Sequence, residues 1–265
     1  MGVKKRIDRI LLDRGCFSSL DQTQASIRAG EVFINGQRLD KPGLSFNESE
    51  IKDIKIAEPL HYVSRGGYKL EKALNEFGIK VNDRICLDVG ASTGGFTDCL
   101  LQRGARKIYA VDVGYGQFDY TLRRDKKVVL LERTNIRHLA PAKIKDEIDI
   151  IAIDVSFISV KKFLSGLLPL CAKRYDIIIL IKPQFEAEKG KTISGIVSSK
   201  NVHENTVKSL FSHFKETGLF VHGFTWSPVK GPKGNIEFLV HLKKERSSFK
   251  ESTIRKVITR SHEEL

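Results

Sequence analysis

The sequence predicts an α/β fold: a mainly parallel sheet covered by helices on both faces, preceded by a small α+β unit. From residue 84 onward, short apolar runs alternate with segments of helical periodicity, the pattern of parallel strands joined by crossover helices. The first of these runs ends in a glycine-rich turn, Gly90-Ala-Ser-Thr-Gly-Gly, that leads directly into a helix. The 265 residues are enough for one α/β domain of ordinary size and a small additional one.

Residues 1–58 predict the small α+β unit. Helical spacing of apolar residues over 7–12 indicates a first helix, and Ser18 or Ser19 can cap a second one. An Asn35-Gly36 turn between short apolar runs predicts a hairpin, and 51–56 predicts another strand. The arginines on or near the two helices, which are candidate RNA-phosphate contacts, are Arg6, Arg9, Arg14 and Arg28.

The segment from Arg6 to about Ile54 resembles a small RNA-binding module that is named after a protein of the small ribosomal subunit. The same module occurs in RNA pseudouridine synthases and tyrosyl-tRNA synthetases. The resemblance is carried by Ala29-Gly-Glu-Val-Phe-Ile-Asn-Gly. The family usually has a Ser-Arg pair where this chain has Ser19-Leu20, so the resemblance implies the fold of the module but not its arginine contact with RNA.

A linker at 59–63 separates this unit from a second domain at 64–244, which is followed by a helical tail at 245–265. The strand candidates of the second domain are 84–89, 107–113, 128–132, 149–155, 176–182, 220–226 and 236–242. Helices are predicted over 95–103, 160–172 and 203–217, with a mobile polar loop between 186 and 200. No long helix precedes the last strand, so we expect it to enter the seven-stranded sheet antiparallel. This arrangement is Rossmann-like.

The turn after the first strand of this sheet predicts a cofactor site. Ser92 replaces the second glycine of the dinucleotide pattern, and no Gly-Lys-Ser/Thr follows, so neither a dinucleotide fingerprint nor a phosphate loop is present. Asp112 ends the next strand, where a carboxylate accepts hydrogen bonds from a ribose diol. Asp88 opens the turn, where it can lie near a cationic amino-acid tail. Together they favour S-adenosylmethionine over NAD, the alternative being a turn that binds no ligand.

Charged residues occur where these strands end. Asp154 and Lys182 each end an apolar run, Glu237 opens the last strand, and Lys69 precedes the sheet. Parallel strands place their carboxyl ends at one edge, so we expect these side chains to gather there. The alternative is a structural ion pair between Lys182 and Asp154, because a lysine is costly to bury without a partner.

Methyl transfer to an alcohol is the chemistry that fits this set. A ribose 2′-hydroxyl is a weak acid, so it must be held in line and must lose its proton. Lys69 close to Lys182 would favour a neutral amine that acts as the base, whereas Asp154 and Glu237 would orient the amines and oppose that neutrality. Alternatively, a charged lysine steers the hydroxyl and stabilises the developing oxyanion.

Seven segments resemble the TlyA family, hemolysin-labelled ribosomal RNA 2′-O-methyltransferases with an FtsJ-like catalytic domain. They are Ser64-Arg-Gly-Gly-Tyr-Lys-Leu, Asp88-Val-Gly-Ala-Ser-Thr-Gly-Gly-Phe-Thr, Asp112-Val-Gly-Tyr-Gly-Gln, Glu132-Arg-Thr-Asn, Asp154-Val-Ser-Phe-Ile-Ser, Ile181-Lys-Pro-Gln-Phe-Glu and Gly234-Asn-Ile-Glu. The resemblance implies a catalytic set of Lys69, Asp154, Lys182 and Glu237, and cytidine 2′-hydroxyls of ribosomal RNA as the target. The S-adenosylmethionine contacts that we infer from it and from the turn are Asp88, Gly90, Ala91, Ser92, Gly94, Gly95, Phe96, Asp112, Asn135 and Ile136. Arg65 joins the candidate RNA contacts.

The composition agrees with a polyanionic partner. The net charge is +13, and residues 160–242 alone carry twelve Lys/Arg against six Asp/Glu. No apolar run approaches the length of a membrane span, which disfavours a pore-forming cytolysin. The four cysteines lack zinc spacing, so we expect no metal site. We also expect a cytoplasmic protein with reduced thiols. Ribosomal RNA or ribosomal subunits are the expected partners, without DNA; a non-catalytic RNA-binding protein is the competing class, and the oligomeric state stays open.

Overall fold

The computed structural model describes residues 4–56, 61–188 and 190–265. The chain divides into two compact units, Met1–His61 and Tyr62–Leu265. This division lies within the linker predicted at 59–63, of which residues 59 and 60 lie outside the described residues.

Short helices and small antiparallel sheets form the described part of the first unit. Its elements are β1 (Lys5–Arg6), α1 (Ile7–Asp13), α2 (Leu20–Ala29), β2 (Val32–Ile34), β3 (Gln37–Arg38), β4 (Ser45–Phe46) and β5 (Ile54–Ile56). The Ser19 hydroxyl accepts a hydrogen bond from the Gln22 backbone N–H and caps α2, which ends at Gly30 in the left-handed conformation. Positive φ angles at Asn35 and Gly36 form the tight turn between β2 and β3.

A seven-stranded sheet runs through the described part of the second unit. Its strands are β6 (Ile85–Val89), β7 (Lys107–Val111), β8 (Val128–Leu131), β9 (Ile148–Ile153), β10 (Cys171–Ile181), β11 (Phe220–Trp226) and β12 (Phe238–Lys243). Their order across the sheet is β11-β12-β10-β9-β6-β7-β8, and β12 is antiparallel to both of its neighbours. The prediction of a mainly parallel sheet with an antiparallel last strand is therefore confirmed.

Helices cover both faces of this sheet. They are α3 (Gly66–Glu76), α4 (Gly95–Gln102), α5 (Tyr120–Arg123), α6 (Leu164–Leu167), α7 (Pro183–Glu186), α8 (Lys200–Glu216) and α9 (Ser252–Glu264). Successive strand residues face opposite layers. Cys86 packs in a cluster with Leu70 of α3, whereas Leu87 packs in a cluster with Leu210 of α8 and Ile254 of α9.

The connection between β9 and β10 differs from the continuous helix predicted over 160–172. Turns of 3₁₀ helix at Val160–Lys162 and Leu168–Leu170 flank α6, and β10 already begins at Cys171. Phe163 has a φ of −144°, which is outside the helical region, and Pro169 lacks the N–H that a continuing helix needs. These two residues explain why the apolar spacing does not produce one helix.

The last helix, α9, belongs to the core of the second unit. Ile254, Val257 and Ile258 are buried in the same apolar cluster as α8. Within residues 4–56, 61–188 and 190–265, no helix combines the length and apolar character needed to cross a membrane.

Candidate active site

One edge of the large sheet gathers the charged residues that end its strands. Asp112, Asp154 and Lys182 directly follow the parallel strands β7, β9 and β10. Glu237 directly precedes β12, and because β12 is antiparallel, its start lies at the same edge. The strand pattern thus places these side chains around the carboxyl ends of the sheet, where ligands bind in open α/β folds.

The glycine-rich turn between β6 and α4 approaches the end of β9 closely. Gly90 has a φ of +87°, and a Cβ built on it would lie 2.3 Å from the backbone carbonyl oxygen of Asp154. Gly94 has a φ of +100° and immediately precedes α4. A side chain at either position would strain the backbone and clash with neighbouring atoms. Glycine at both positions therefore leaves the backbone of the turn accessible.

A cavity of about 530 Å³ lies on one side of this turn. It is lined by Gly90, Ser92, Asp112, Asn135 and Ile136, all of which were predicted as cofactor contacts, together with residues of the loop after β9. The Asp112 carboxylate accepts hydrogen bonds from the backbone N–H groups of Ser92 at 2.7 Å and Gly114 at 2.6 Å. These bonds hold the carboxylate in a fixed orientation at the cavity.

A second cavity of about 260 Å³ lies on the other side of the turn. Gly90, Ser92 and Asp154 line both cavities, so the two spaces meet at these residues. The turn residues Ala91, Gly95 and Phe96 line the smaller cavity, whereas Gly94 lines neither. Lys69, Lys182 and Arg65, all of which were predicted as site residues, also line the smaller cavity.

Two lysine–carboxylate pairs stand in or beside the smaller cavity. Lys182 Nζ lies 2.6 Å from Asp154 Oδ1 and donates a hydrogen bond to Ser156 Oγ at 2.9 Å. Lys69 Nζ lies 2.6 Å from Glu237 Oε2. Both lysines are buried and Glu237 is fully buried, so neither charge is tolerated without its partner. The ion pair considered as the alternative for Lys182 is present, and it lies at the cavity.

Space around Glu237 depends on Gly231. A Cβ built on Gly231 would lie 2.1 Å from Glu237 Oε1. That oxygen has no hydrogen-bond partner among the described residues, whereas Oε2 is paired with Lys69. Glu237 therefore has one oxygen paired with Lys69 and one buried oxygen without a hydrogen-bond partner among the described residues.

Asp88 does not line either cavity. It is fully buried in β6, and its Oδ2 accepts a hydrogen bond from the Thr97 hydroxyl of α4 at 2.6 Å. Burial raises the pKa of Asp88 to about 7, and the charges of Asp154 and Asp112 act in the same direction. Asp88 thus ties β6 to α4 through Oδ2, while its Oδ1 has no hydrogen-bond partner among the described residues. Its expected position near the cofactor's cationic tail stays a prediction.

The candidate RNA contacts of the first unit are exposed on its surface. Arg6 pairs with the buried carboxylate of Asp8, while Arg14 donates to the Glu48 carbonyl and Arg28 to the Gln24 side chain. Arg9 is also exposed. The structure leaves their role in RNA binding as a prediction.

Sequence analysis missed several residues of the cavity walls. Lys230 adds a cation to the smaller cavity, and Ser156 binds Lys182. Phe157 lines the larger cavity with 89% of its surface exposed and a φ of +65°. Such a φ is unusual for a bulky residue, and no sequence pattern signals it.

The residues present fit S-adenosylmethionine. The larger cavity falls within the usual size of a small-molecule site. Asp112 offers an oriented carboxylate to a ribose diol, and the bare backbone at Gly90 permits close approach where the two cavities meet. These residues would hold the cofactor in the larger cavity, which meets the smaller, lysine-lined cavity at Asp154.

Comparison with known proteins agrees with this geometry. Residues 62–244 match the model of the FtsJ-like methyltransferase family. YqxC of Bacillus subtilis is 44% identical over 271 residues, which cover 99% of this chain and 95% of that protein. TlyA of Mycobacterium tuberculosis, a 16S/23S rRNA (cytidine-2′-O)-methyltransferase, is 40% identical over 244 residues, with 92% and 91% covered. A solved structure of a hemolysin from Streptococcus thermophilus is 39% identical with a TM-score of 0.78, and the match covers 98% of this chain and 96% of that one. The chain is therefore a member of the FtsJ-like family of S-adenosylmethionine-dependent methyltransferases and belongs to its TlyA group.

Proposed function

We propose that this methyltransferase modifies ribose 2′-hydroxyls of cytidine in ribosomal RNA. The observation that carries the proposal is the pair of buried lysine–carboxylate contacts beside a cavity that joins the cofactor cavity at Asp154. The name of the Mycobacterium tuberculosis relative, which specifies cytidine 2′-O-methylation of 16S and 23S rRNA, supports the same acceptor.

The cofactor side of the reaction depends on a few residues of the larger cavity. S-adenosylmethionine supplies an electrophilic methyl group when it is bound. Asp112 would accept hydrogen bonds from its ribose, and Asn135 and Ile136 would line its nucleoside. Asp88 would act by stabilising the turn, because its hydrogen bond with Thr97 joins β6, which precedes the turn, to α4, which follows it.

The acceptor side depends on the smaller cavity. The hydroxyl oxygen forms a bond to the methyl carbon as the carbon–sulfur bond breaks, and the hydroxyl proton must leave. Lys182 is the group we expect to contact the hydroxyl, since its Nζ is already oriented by Asp154 and Ser156, and the Lys182–Asp154 pair would receive the proton. Lys69, oriented by Glu237, would direct the ribose and stabilise the developing oxyanion.

Recognition of RNA would involve charge and aromatic surface. Arg65 lies at the smaller cavity, where it can contact a phosphate. Phe157, exposed at the larger cavity, presents a ring on which a nucleobase can stack. The exposed arginines of the first unit, Arg6 and Arg9 among them, would add phosphate contacts. With ribosomal RNA as the substrate, we expect the protein to act in the cytoplasm.

Methyl transfer to purified ribosomal subunits tests the proposal. Unmodified small and large subunits are incubated separately with labelled S-adenosylmethionine, and the RNA is then hydrolysed in alkali. We expect label in cytidine at a linkage that resists hydrolysis, because a methylated 2′-oxygen cannot attack the neighbouring phosphate. Label confined to a base, or no label in either subunit from protein that binds the cofactor, would contradict the proposed acceptor.

A further inference from the structure

The C-terminal helix α9 lies outside residues 62–244, which match the FtsJ-like family, yet it contacts Trp226 of β11 and His203 of α8. Its last turns contribute two polar contacts to the rest of the second unit, one from Arg260 and one from His262.

The first contact centres on Trp226, the last residue of β11. The Arg260 guanidinium lies 5.1 Å from the centroid of the Trp226 ring, and Lys72 Nζ lies 3.9 Å from the same centroid. Both distances are in the range of cation–π interactions, and Trp226 is almost completely buried. Lys72 belongs to α3 and lies three residues after Lys69, so the two lysines share one side of that helix.

Trp226 is also adjacent to Glu237. It is the register partner of Phe238 across the β11–β12 pair, and the next residue, Ser227, donates its backbone N–H to the Glu237 carbonyl at 2.8 Å. The indole ring of Trp226 thus contacts α3 through Lys72, and the backbone around Trp226 is paired with the start of β12 next to Glu237.

The second contact reaches the same strand start from another direction. His262 Nε2 lies 2.9 Å from His203 Nδ1 of α8, and the His203 ring packs edge-on against Phe238 with centroids 5.2 Å apart. Phe238 directly follows Glu237. Arg260 and His262 therefore contact Trp226 and His203, each of which adjoins Phe238, the residue after Glu237, while neither Arg260 nor His262 lines the smaller cavity.

We propose that α9 is a positioning element for the Lys69–Glu237 pair, with Arg260 as its principal positioning residue. The inference rests on the proposed role of that pair in methyl transfer. Loss of the Arg260 contact lets the Trp226 ring shift, and the shift moves α3 relative to the start of β12. Because the Lys69–Glu237 distance is set by these two elements, the chemical step slows while cofactor and RNA binding stay intact.

The test uses full-length variants in the methyl-transfer assay with ribosomal subunits. Arg260→Gln removes the cation, Arg260→Lys keeps it, and Glu264→Gln removes the ion-pair partner of Arg260 on α9 but keeps the guanidinium that contacts Trp226. A lost cation–π contact corresponds to about a three- to five-fold fall in kcat for Arg260→Gln, with KM for both substrates unchanged. We expect Arg260→Lys to recover most of this loss and Glu264→Gln to match the unmodified protein.

A double-mutant cycle with Trp226→Leu separates positioning from general stability. If Arg260 acts through the ring, Arg260→Gln causes no further loss of kcat in the Trp226→Leu protein. Equal kcat values for Arg260→Gln and Glu264→Gln would overturn the inference, as would additive losses in the cycle. An unmodified protein that transfers no methyl group to RNA would instead contradict the proposed function.

Discussion

Lowering the pH from about 7.5 to about 5 is expected to destabilise the second unit through His203, a fully buried histidine of α8. Its Nδ1 lies 2.9 Å from His262 Nε2, and its own Nε2 has no hydrogen-bond partner among the described residues. Burial, and then the neighbouring His262, lower the pKa of His203 to about 4. Burial also lowers the pKa of His262, and Lys200 and Lys230 add to that effect.

The sign follows from the two protonation states. In the unfolded chain His203 has a pKa near 6.5 and is mostly protonated at about pH 5, whereas in the folded chain it stays mostly neutral. The unfolded state therefore binds more protons, and the stability present above about pH 6.5 is lost as the pH falls toward about 4. At about 1.4 kcal/mol per pKa unit, the loss at pH 5 is about 2 kcal/mol, which corresponds to a melting temperature lower by about 4–8 °C in a unit of this size.

The assay compares melting temperatures at the two pH values for the unmodified protein and for His203→Asn, which keeps a polar side chain but does not titrate. Other titrating groups lower the melting temperature in both proteins, so the difference between the two decreases isolates His203. His138→Asn, a change at an exposed histidine, serves as the matched control and should behave as the unmodified protein does. Equal decreases for the unmodified protein and His203→Asn would refute the reasoning.

Three further predictions concern the active site. Lys182→Met should lower kcat by about 100-fold or more with cofactor affinity unchanged, whereas Lys208→Met, which breaks a partly exposed lysine–glutamate pair on α8, should be neutral. Near-normal turnover of Lys182→Met in the methyl-transfer assay would contradict its catalytic role. Asp112→Asn should weaken S-adenosylmethionine binding by about ten-fold in calorimetry, because the amide replaces a charged acceptor that is held by two backbone N–H groups, and unchanged affinity would argue against the ribose contact. Gly90→Ala should lower both the melting temperature and cofactor affinity, because its Cβ would lie 2.3 Å from the Asp154 carbonyl oxygen at a φ of +87°. A normal melting temperature with normal affinity would show that the turn relaxes with no loss of stability.

The parallel strands were predictable because burial on both faces leaves a nearly continuous apolar run in the sequence. The runs at 84–89 and 149–155 correspond to β6 at Ile85–Val89 and β9 at Ile148–Ile153. The helix predicted over 160–172 was wrong because its apolar spacing conceals two local breaks, the extended φ at Phe163 and the missing N–H at Pro169. Hydrophobic periodicity indicates which side of a segment is buried, whereas backbone breaks are set by individual residues.

The placement of Asp88 illustrates a second limit. As a residue that opens a glycine-rich turn, it was expected to lie near the cationic tail of the cofactor. It lies within β6, however, where alternate side chains face opposite layers, and it shares its side with Cys86 rather than with Leu87. Cys86 faces the layer of α3 and α4, so Asp88 faces it too and meets Thr97 of α4 instead of the cofactor cavity. The two-residue period of the strand predicts the direction of the Asp88 side chain. The glycine-rich pattern that follows suggested instead that Asp88 belongs to the turn.

Contacts between residues that are distant in the sequence could not be predicted from any local pattern. Lys69 and Glu237 are 168 positions apart, and their contact exists only because α3 covers the sheet beside an antiparallel β12. A buried ion pair contributes little net stability, since the cost of removing both charges from water nearly offsets their attraction. Two such pairs, Lys69–Glu237 and Lys182–Asp154, beside a cavity that meets the cofactor cavity are therefore poorly explained by folding alone. Orientation of the two amines for the proposed methyl transfer to an alcohol would account for both pairs.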